Sequence, residues 1–244
     1  MDILILADIH ANYPALEAVN HFFNARHFDL TINCGDSIVY GPFPNETLRW
    51  LQRRNVYSIL GNTDRKVIKL LKGGKLKKPK KKDKRIMYTW TKDVLDRENE
   101  KYLRSLKKES RIDPGQCGSQ AEQSIHVFHG SPDNPDEFLF ADTPTSRFRQ
   151  LAEKFPNSVV LVGHSHTPFY KRISSTHFIN PGSIGRMFDG DPSASCATLR
   201  MADNNLDVQH HRIPYRIQWT VDEIKRNKLP NIYATMYLLG RKLN

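Results

Sequence analysis

The sequence predicts an α/β fold built on buried strands, and three observations carry that reading. Short apolar, β-branched runs recur at residues 3–7, 30–34, 56–60, 125–128 and 159–162, each followed by a glycine or a polar side chain. Segments with apolar residues at helical spacing lie between them, and further short strand-like runs follow after residue 168. Runs of the first kind have the composition of strands buried on both faces. In open α/β sheets ligands bind beyond the carboxyl ends of such strands. The residues that follow the five runs are therefore the candidates for function.

Residues 14–26 read as the first helix, with Pro14 at its start and apolar Leu16, Ala18, Val19, Phe22 and Phe23. Residues 45–54 supply a helix after the second run, and 146–154 one before the fifth. Residues 169–173, 177–179, 194–201 and 206–211 read as shorter strands of a second sheet, and 221–228 and 231–239 as closing helices separated by Pro230. The pattern is interrupted at 66–111, which reads as an accessory cap or insert. Trp90, Val94, Leu95, Tyr102, Leu103 and Leu106 suit two short packed helices over 86–106. The lysine-rich stretch 72–85 repels itself and reads as a solvated loop. The whole, residues 1–244, is expected to be one domain around one sizeable core.

The residues that close the runs form motifs in a fixed order: Asp8-Ile9-His10, Gly35-Asp36, Gly61-Asn62-Thr63-Asp64, His129-Gly130 and Gly163-His164-Ser165-His166, followed by the turn Asn180-Pro181-Gly182-Ser183. Carboxylate, carboxamide and imidazole donors without thiolate suit Mn, Fe, Ni, Co or Zn, and argue against a structural cysteine-zinc site. The donors suffice for two adjacent divalent ions. Such ions lie roughly 3.5–4 Å apart, share a bridging ligand and lower the pKa of a shared water to about 7. They also neutralise charge growing on a phosphoryl group. Gly35, Gly61 and Gly163 suit turns that need positive φ. His21, His27, His126, His177, His210 and His211 have no such context and read as surface or hydrogen-bonded core residues.

The motifs and their order resemble the calcineurin-like metallophosphoesterase superfamily, whose signature runs DxH, GD, GNH(D/E), a later His and GHxH. The resemblance covers nearly the whole chain and implies a four-layer αββα sandwich, two mixed β-sheets flanked by helices. It implies that Asp8, His10, Asp36 and His166 hold one metal, and Asp36, Asn62, His129 and His164 the other, with Asp36 as the bridge. The implied cofactor is a pair of divalent ions, manganese first, with nickel, cobalt, iron or zinc as alternatives; metal-bound hydroxide is the implied nucleophile. Asp36, Asn62 and Asp64 are then the catalytic residues, Asp64 by orienting the site. The stretches ADIHANYPALEAV, GDSIVYGPFPNE and GNTDR are similar to the YfcE-like, diadenosine tetraphosphatase-related prokaryotic branch.

One position departs from that signature. Thr63 stands where many members carry the His assigned to protonating the leaving group, and a threonine hydroxyl is no acid near pH 7. Good leaving groups, in phosphoanhydrides or aryl phosphodiesters, are therefore expected over alkyl monoesters. Thr63 and Asn12 are candidate contacts to substrate oxygens, with stabilisation of its own turn as the alternative role for Asn12.

The formal charge is +11 and the pI about 9.6, with much of the excess in Lys72 to Arg85. A positive loop beside a phosphoesterase centre gathers anionic substrates and also suits a nucleic-acid backbone. No helix-turn-helix, zinc-finger or RNP pattern is present, and aromatics are not interleaved with the lysines. A phosphorylated small molecule or nucleotide is thus the expected partner, ahead of nucleic acid. Cys34, Cys117 and Cys196 are odd in number and widely spaced, which suits a reducing cytoplasm and no disulfide framework. The N-terminal apolar run is too short for a signal peptide or a membrane span. The resulting expectation is a cytoplasmic phosphodiester or phosphoanhydride hydrolase. The alternatives are a phosphoprotein or small-molecule phosphomonoesterase, and a non-catalytic metal-binding scaffold such as the superfamily's retromer subunit.

Overall fold

Alternate residues of a strand face opposite ways, and on the first strand, β1 (Asp2–Leu6), both faces are buried: Ile3 and Ile5 join one apolar cluster, Leu4 and Leu6 another. Such a strand needs cover on each side, and a computed structural model, which describes residues 1–117, 123–202 and 205–243, shows what supplies it. After β1 come α1 (Tyr13–Phe22), β2 (Leu30–Asn33), α2 (Pro44–Arg53), β3 (Tyr57–Ser58), α3 (Asn62–Leu71), α4 (Lys82–Val94) and α5 (Arg97–Ser105). Then follow β4 (Ser110–Ile112), β5 (Ser124–Val127), α6 (Thr145–Ala152), β6 (Ser158–Leu161), β7 (Phe169–Ile173) and β8 (Thr176–Asn180). The last elements are β9 (Ala194–Ala202), β10 (Asn205–Ile213), α7 (Ile217–Arg226) and α8 (Asn231–Leu239).

The strands form two mixed five-stranded sheets, ordered β10-β9-β1-β2-β3 and β4-β5-β6-β8-β7. Between them Ile3, Ile5 and Ile32 meet Ile125, Val127, Val159 and Leu161. On the outer face of the first sheet Leu4 and Leu6 share a cluster with Leu16, Leu48, Val221 and Ile224 of the helices, and Val160 and Phe178 of the second sheet pack with Phe148 and Leu151 of α6. The layers therefore run helix, sheet, sheet, helix, the expected αββα sandwich.

Four details differ from the sequence expectation. The runs at 194–201 and 206–211 do not belong to the second sheet: β9 pairs antiparallel with β1, Ile5 opposite Ala197, and β10 pairs with β9. Period-two patterning shows that a strand has a buried face but not which neighbour it pairs with. The first helix ends at Phe22, four residues short of the expected end. Residues 62–71 form a helix that the motif reading passed over, begun where Gly61 N–H donates to the Asp64 carboxylate. In the basic stretch, residues 82–85 are already the first turn of α4, and Met87, Tyr88 and Leu103 of α4 and α5 reach the apolar cluster of the first sheet.

Cys34 and Cys196 are buried free thiols, while the side chain of Cys117 lies outside the described residues. Among the described residues no helix is long and apolar enough to cross a membrane.

Candidate metal centre

The carboxyl ends of β1, β2 and β3 from one sheet and of β5 and β6 from the other lead into loops that are laced together. Asp8 N–H donates to Gly35 O at 3.0 Å and Gly163 N–H to His129 O at 2.9 Å, while the His129 ring joins the two sheets through Nδ1 and Cys34 O at 2.9 Å. Two groups of side chains result. Asp8, His10 and His166 place ligand atoms within 4.8 Å of one another, and so do Asp36, His129 and His164. Asp36 lies between them, its Oδ2 3.9 Å from His10 Nε2 and 3.5 Å from His129 Nε2. Asn62 completes the second group, its Oδ1 3.1 Å from His129 Nε2.

Backbone strain accompanies this convergence. Asp8, His10, Asp36, His164 and His166 all have φ between 51° and 67°, the left-handed region that non-glycine residues seldom occupy. Each such residue costs of order 1–3 kcal/mol and persists only where its surroundings over-determine it. Here the determinants are visible. Ser183 Oγ donates to Asp8 O at 2.7 Å, Ile184 and Gly185 N–H donate to Ala7 O and Asp8 O, and Asn180 Nδ2 donates to Gly163 O at 2.8 Å. The Asn180–Ser183 turn is thus the clamp behind the β1 and β6 loops.

Two atoms show that these residues fit divalent cations. Asp8 Oδ1 is buried and faces His166 Nε2 at 3.3 Å without a well-formed hydrogen bond, while its partner oxygen accepts from His164 N–H at 2.9 Å. The Asn62 carboxamide turns its oxygen towards Asp36 Oδ2 and its nitrogen towards Lys66 Nζ, with gaps of 3.2 and 3.0 Å; hydrogen bonding alone would favour the reverse. An oxygen pointed at a carboxylate suits a cation held among Asp36, His129 and His164. The rings are also aimed: Nδ1 of His129 and of His166 are occupied by Cys34 O and Arg186 O, leaving both Nε2 atoms inward.

The electrostatics divide the histidines. Burial would lower His129, but the Asp36 charge and hydrogen bond, then Asp8, push it up to about 9. Burial would raise Asp36, yet His129, then His10 and the Thr63 N–H, hold it well below the usual carboxylate range. His10 is lowered to about 3 by burial, and His164 to about 4 by burial and then the His129 charge. Burial and the Asp36 charge push Asp64 up to about 7, against three backbone donors that favour its charged form: Gly61, Ser37 and Ile38 N–H.

A family model described as the calcineurin-like phosphoesterase superfamily domain matches residues 1–204. The chain belongs to that superfamily. The uncharacterized protein MJ0912 of Methanocaldococcus jannaschii is 30% identical over 257 aligned positions, covering 98% of this chain and 98% of that protein. A metallophosphoesterase from Sphaerobacter thermophilus is similar in structure with a TM-score of 0.78 and 29% identity, covering 98% of this chain and 99% of that one. The hypothetical protein PH1004 from Pyrococcus horikoshii shares the fold at a TM-score of 0.85 and 22% identity, with 99% of each chain covered. The chain is therefore a phosphoesterase hydrolase of a metal-binding family, with two candidate metal groups.

Other residues of this phosphoesterase stand differently from their sequence reading. Asn12 is fully buried and does not line the cavity: its Nδ2 donates to Gly185 O and the Tyr215 hydroxyl, and its Oδ1 accepts from Thr220. Its side chain is committed away from the cavity and makes no hydrogen bond within its own turn; instead it ties the β1 loop to the segments at Gly185, Tyr215 and Thr220. Thr63 does line the cavity, but its hydroxyl proton goes to Ile38 O at 3.0 Å, and its backbone N–H holds Asp36 Oδ1 at 2.7 Å. Of the three motif glycines only Gly35 has the expected positive φ, at 94°. Gly61 is needed for space instead, because a Cβ there would fall on the Asp36 carboxylate. Gly61→Ala should destabilise the protein by about 1–3 kcal/mol through overpacking and displace Asp36; thermal melting and metal content check both effects.

A cavity of about 420 Å³ opens over the two groups, and several residues on its wall escaped sequence reasoning. Phe138 stacks on His164 at 4.0 Å and Phe188 on His166 at 4.6 Å between ring centroids. Lys84, Arg186 and Lys242 supply positive charge. Arg186 stands three residues past the Asn180–Ser183 turn, a proximity that hints at the site. Lys84 is hidden in the lysine run, and Lys242 carries no signal at all.

Proposed function

We propose that this phosphoesterase hydrolyses phosphodiesters or phosphoanhydrides of nucleotide type with two divalent ions, manganese foremost. Asp8, His10, Asp36 and His166 would hold one ion, and Asp36, Asn62, His129 and His164 the other. The position of Asp36 between the two groups carries this reading. Ions bound there would supply a water nucleophile of lowered pKa and positive charge for the phosphoryl oxygens.

The chain's own residues do the rest. Thr63 N–H fixes the Asp36 carboxylate, and Cys34 O and Arg186 O fix the imidazoles, so the donor set is preorganised. Asp64 acts from behind by tying Gly61 to the loop at Ser37 and Ile38. The Thr63 hydroxyl, bonded to Ile38 O, delivers no proton to a leaving group. Tyr40 also lines the cavity and has its pKa raised by burial, and the Ser165 and Thr167 hydroxyls on the same wall are no acids near pH 7. The hydroxyls of the wall thus favour leaving groups that depart without protonation. Phe138 and Phe140, half-exposed at the cavity, offer flat faces that suit an aryl group or a nucleobase. The insert at 66–111 acts as a cap through Lys84, and the buried thiols suit a reducing cytoplasm.

The test is turnover of a bis-aryl phosphate, an aryl monophosphate, an alkyl phosphate, diadenosine tetraphosphate and a phosphopeptide by metal-stripped protein given Mn, Ni, Co, Zn or Mg. The aryl diester and the anhydride should outpace the alkyl ester by about 10²–10⁴ in chemistry-limited steps, the range that a missing general acid forfeits. Equal aryl and alkyl rates would sink the leaving-group argument. A phosphopeptide turned over fastest would select the phosphoprotein reading, and two bound ions without turnover on any ester would select the scaffold.

A further inference from the structure

We propose that Arg186, Lys84 and Lys242 form a binding wall for negative charge on the substrate beyond the scissile phosphoryl group, of the kind a polyphosphate chain carries. The inference rests on the phosphoesterase reading for where the scissile group lies, and it deepens that reading.

Arg186 is the strongest single observation. Its side chain is only 8% exposed, and its guanidinium carbon lies 4.1 Å from the Tyr40 ring centroid and 5.3 Å from that of Phe188. Among the described residues the one hydrogen bond its guanidinium makes is to Met236 Sδ, at 3.8 Å, and none of their carboxylates lies within ion-pair distance of it. A guanidinium carries five donors in a planar fork. Burying it without an anion is costly, and the aromatic faces offset only part of that cost. It borders the cavity above His10 and His166, so an anion that reaches those residues can supply the missing partner.

Two further cations share the wall. Lys84, from the first turn of α4, and Lys242, near the C-terminus, line the same cavity and form no ion pair among the described residues. Their mutual repulsion shows in Lys84, whose ammonium is depressed by burial and then by the charges of Lys242 and Arg186. Asp36 is the sole carboxylate on the wall among the described residues, and it belongs to the metal groups. Three cations held together against repulsion match a multiply charged anion better than one phosphoryl group already served by metals. They also converge on one cavity that opens to solvent rather than being strung along the surface as a phosphate-backbone track would need.

The experiment is calorimetric titration of inorganic tripolyphosphate and of orthophosphate into the full-length, metal-free protein at fixed ionic strength. Tripolyphosphate should bind at least about tenfold more tightly, as expected for one further charge-assisted contact. Arg186→Met and the double variant Lys84→Met/Lys242→Met should each weaken tripolyphosphate binding by about tenfold, a larger loss than orthophosphate shows in the same variants. The double variant removes two surface side chains, so it remains informative if Arg186→Met fails to fold. Lys77→Met/Lys80→Met removes the same charge from the exposed run and should change neither affinity. Equal binding of the two anions, no effect of the wall variants, or the same loss in the Lys77/Lys80 variant would each overturn the proposal. No metal or turnover is involved, so a protein that binds tripolyphosphate as described but hydrolyses nothing would refute the hydrolytic assignment and leave the wall standing.

Discussion

Replacing Asp36 with asparagine should reduce metal-dependent hydrolysis by about 10³-fold or more and leave the protein folded. Removing one preorganised electrostatic contact at a reacting phosphoryl or acyl group costs about 10²–10³ in rate, and Asp36 would serve both ions rather than one. The fold should survive because the structural duty of the side chain is modest: Oδ1 accepts a hydrogen bond from Thr63 N–H, which an asparagine oxygen can still do. Metal content by elemental analysis, thermal melting and rate together decide the matter. A variant that keeps both ions and more than a tenth of the activity would remove Asp36 from the bridging position.

Metal uptake by the Asp36, His129 and His164 group should strengthen about tenfold per pH unit between roughly pH 6.5 and 8.5, because a bound proton must leave before the metal enters. The sign follows from His129. Its folded pKa, about 9, lies above the ordinary 6.5, so the metal-free protein holds the imidazolium at pH 7. The stability that this proton lends the metal-free fold is present in full below about pH 6.5 and is lost as pH rises through about 9. For an incoming cation the same proton is a competitor. His10 and His164, lowered to about 3 and 4, have already lost theirs and add no slope. Titration with Mn²⁺ in two buffers of different ionisation heat should report about one proton released per ion at that group. Affinity independent of pH, or no proton release, would show that His129 is not a ligand or is not protonated beforehand.

The sequence itself determined the α/β class and the candidate donors, because both are written locally, while the αββα layering and the division of the donors between two ions came from the resemblance of the motif order to the superfamily. A buried strand shows in four or five consecutive apolar residues, and the loop that follows must hold its donors within a few positions of the strand end. Asp8, His10, Asp36, Asn62, His129, His164 and His166 all obey that rule, and the structure brings all seven together. Thr63 was legible as a departure for the same reason, although only the structure shows its hydroxyl committed to Ile38 O.

Tertiary structure alone decided what depends on elements far apart in the chain. Strand patterning shows which face is buried but not the partner, so β9 and β10 joined the first sheet rather than the second. Asn12 read equally as a substrate contact or a brace of its own turn, and only the fold shows its amide occupied by Gly185, Tyr215 and Thr220, some 170 to 210 residues away. Gly61 answers to space beside Asp36 rather than to φ, and a clash between two loops leaves no trace in either loop's own sequence. The wall of Lys84, Arg186 and Lys242 is the largest case: three cations from α4, a post-turn loop and the segment after α8 come to one cavity only when packing of the helices and the two sheets brings them there. Charge acts through space, so its meaning for function was set by distance in the fold and not by distance along the chain.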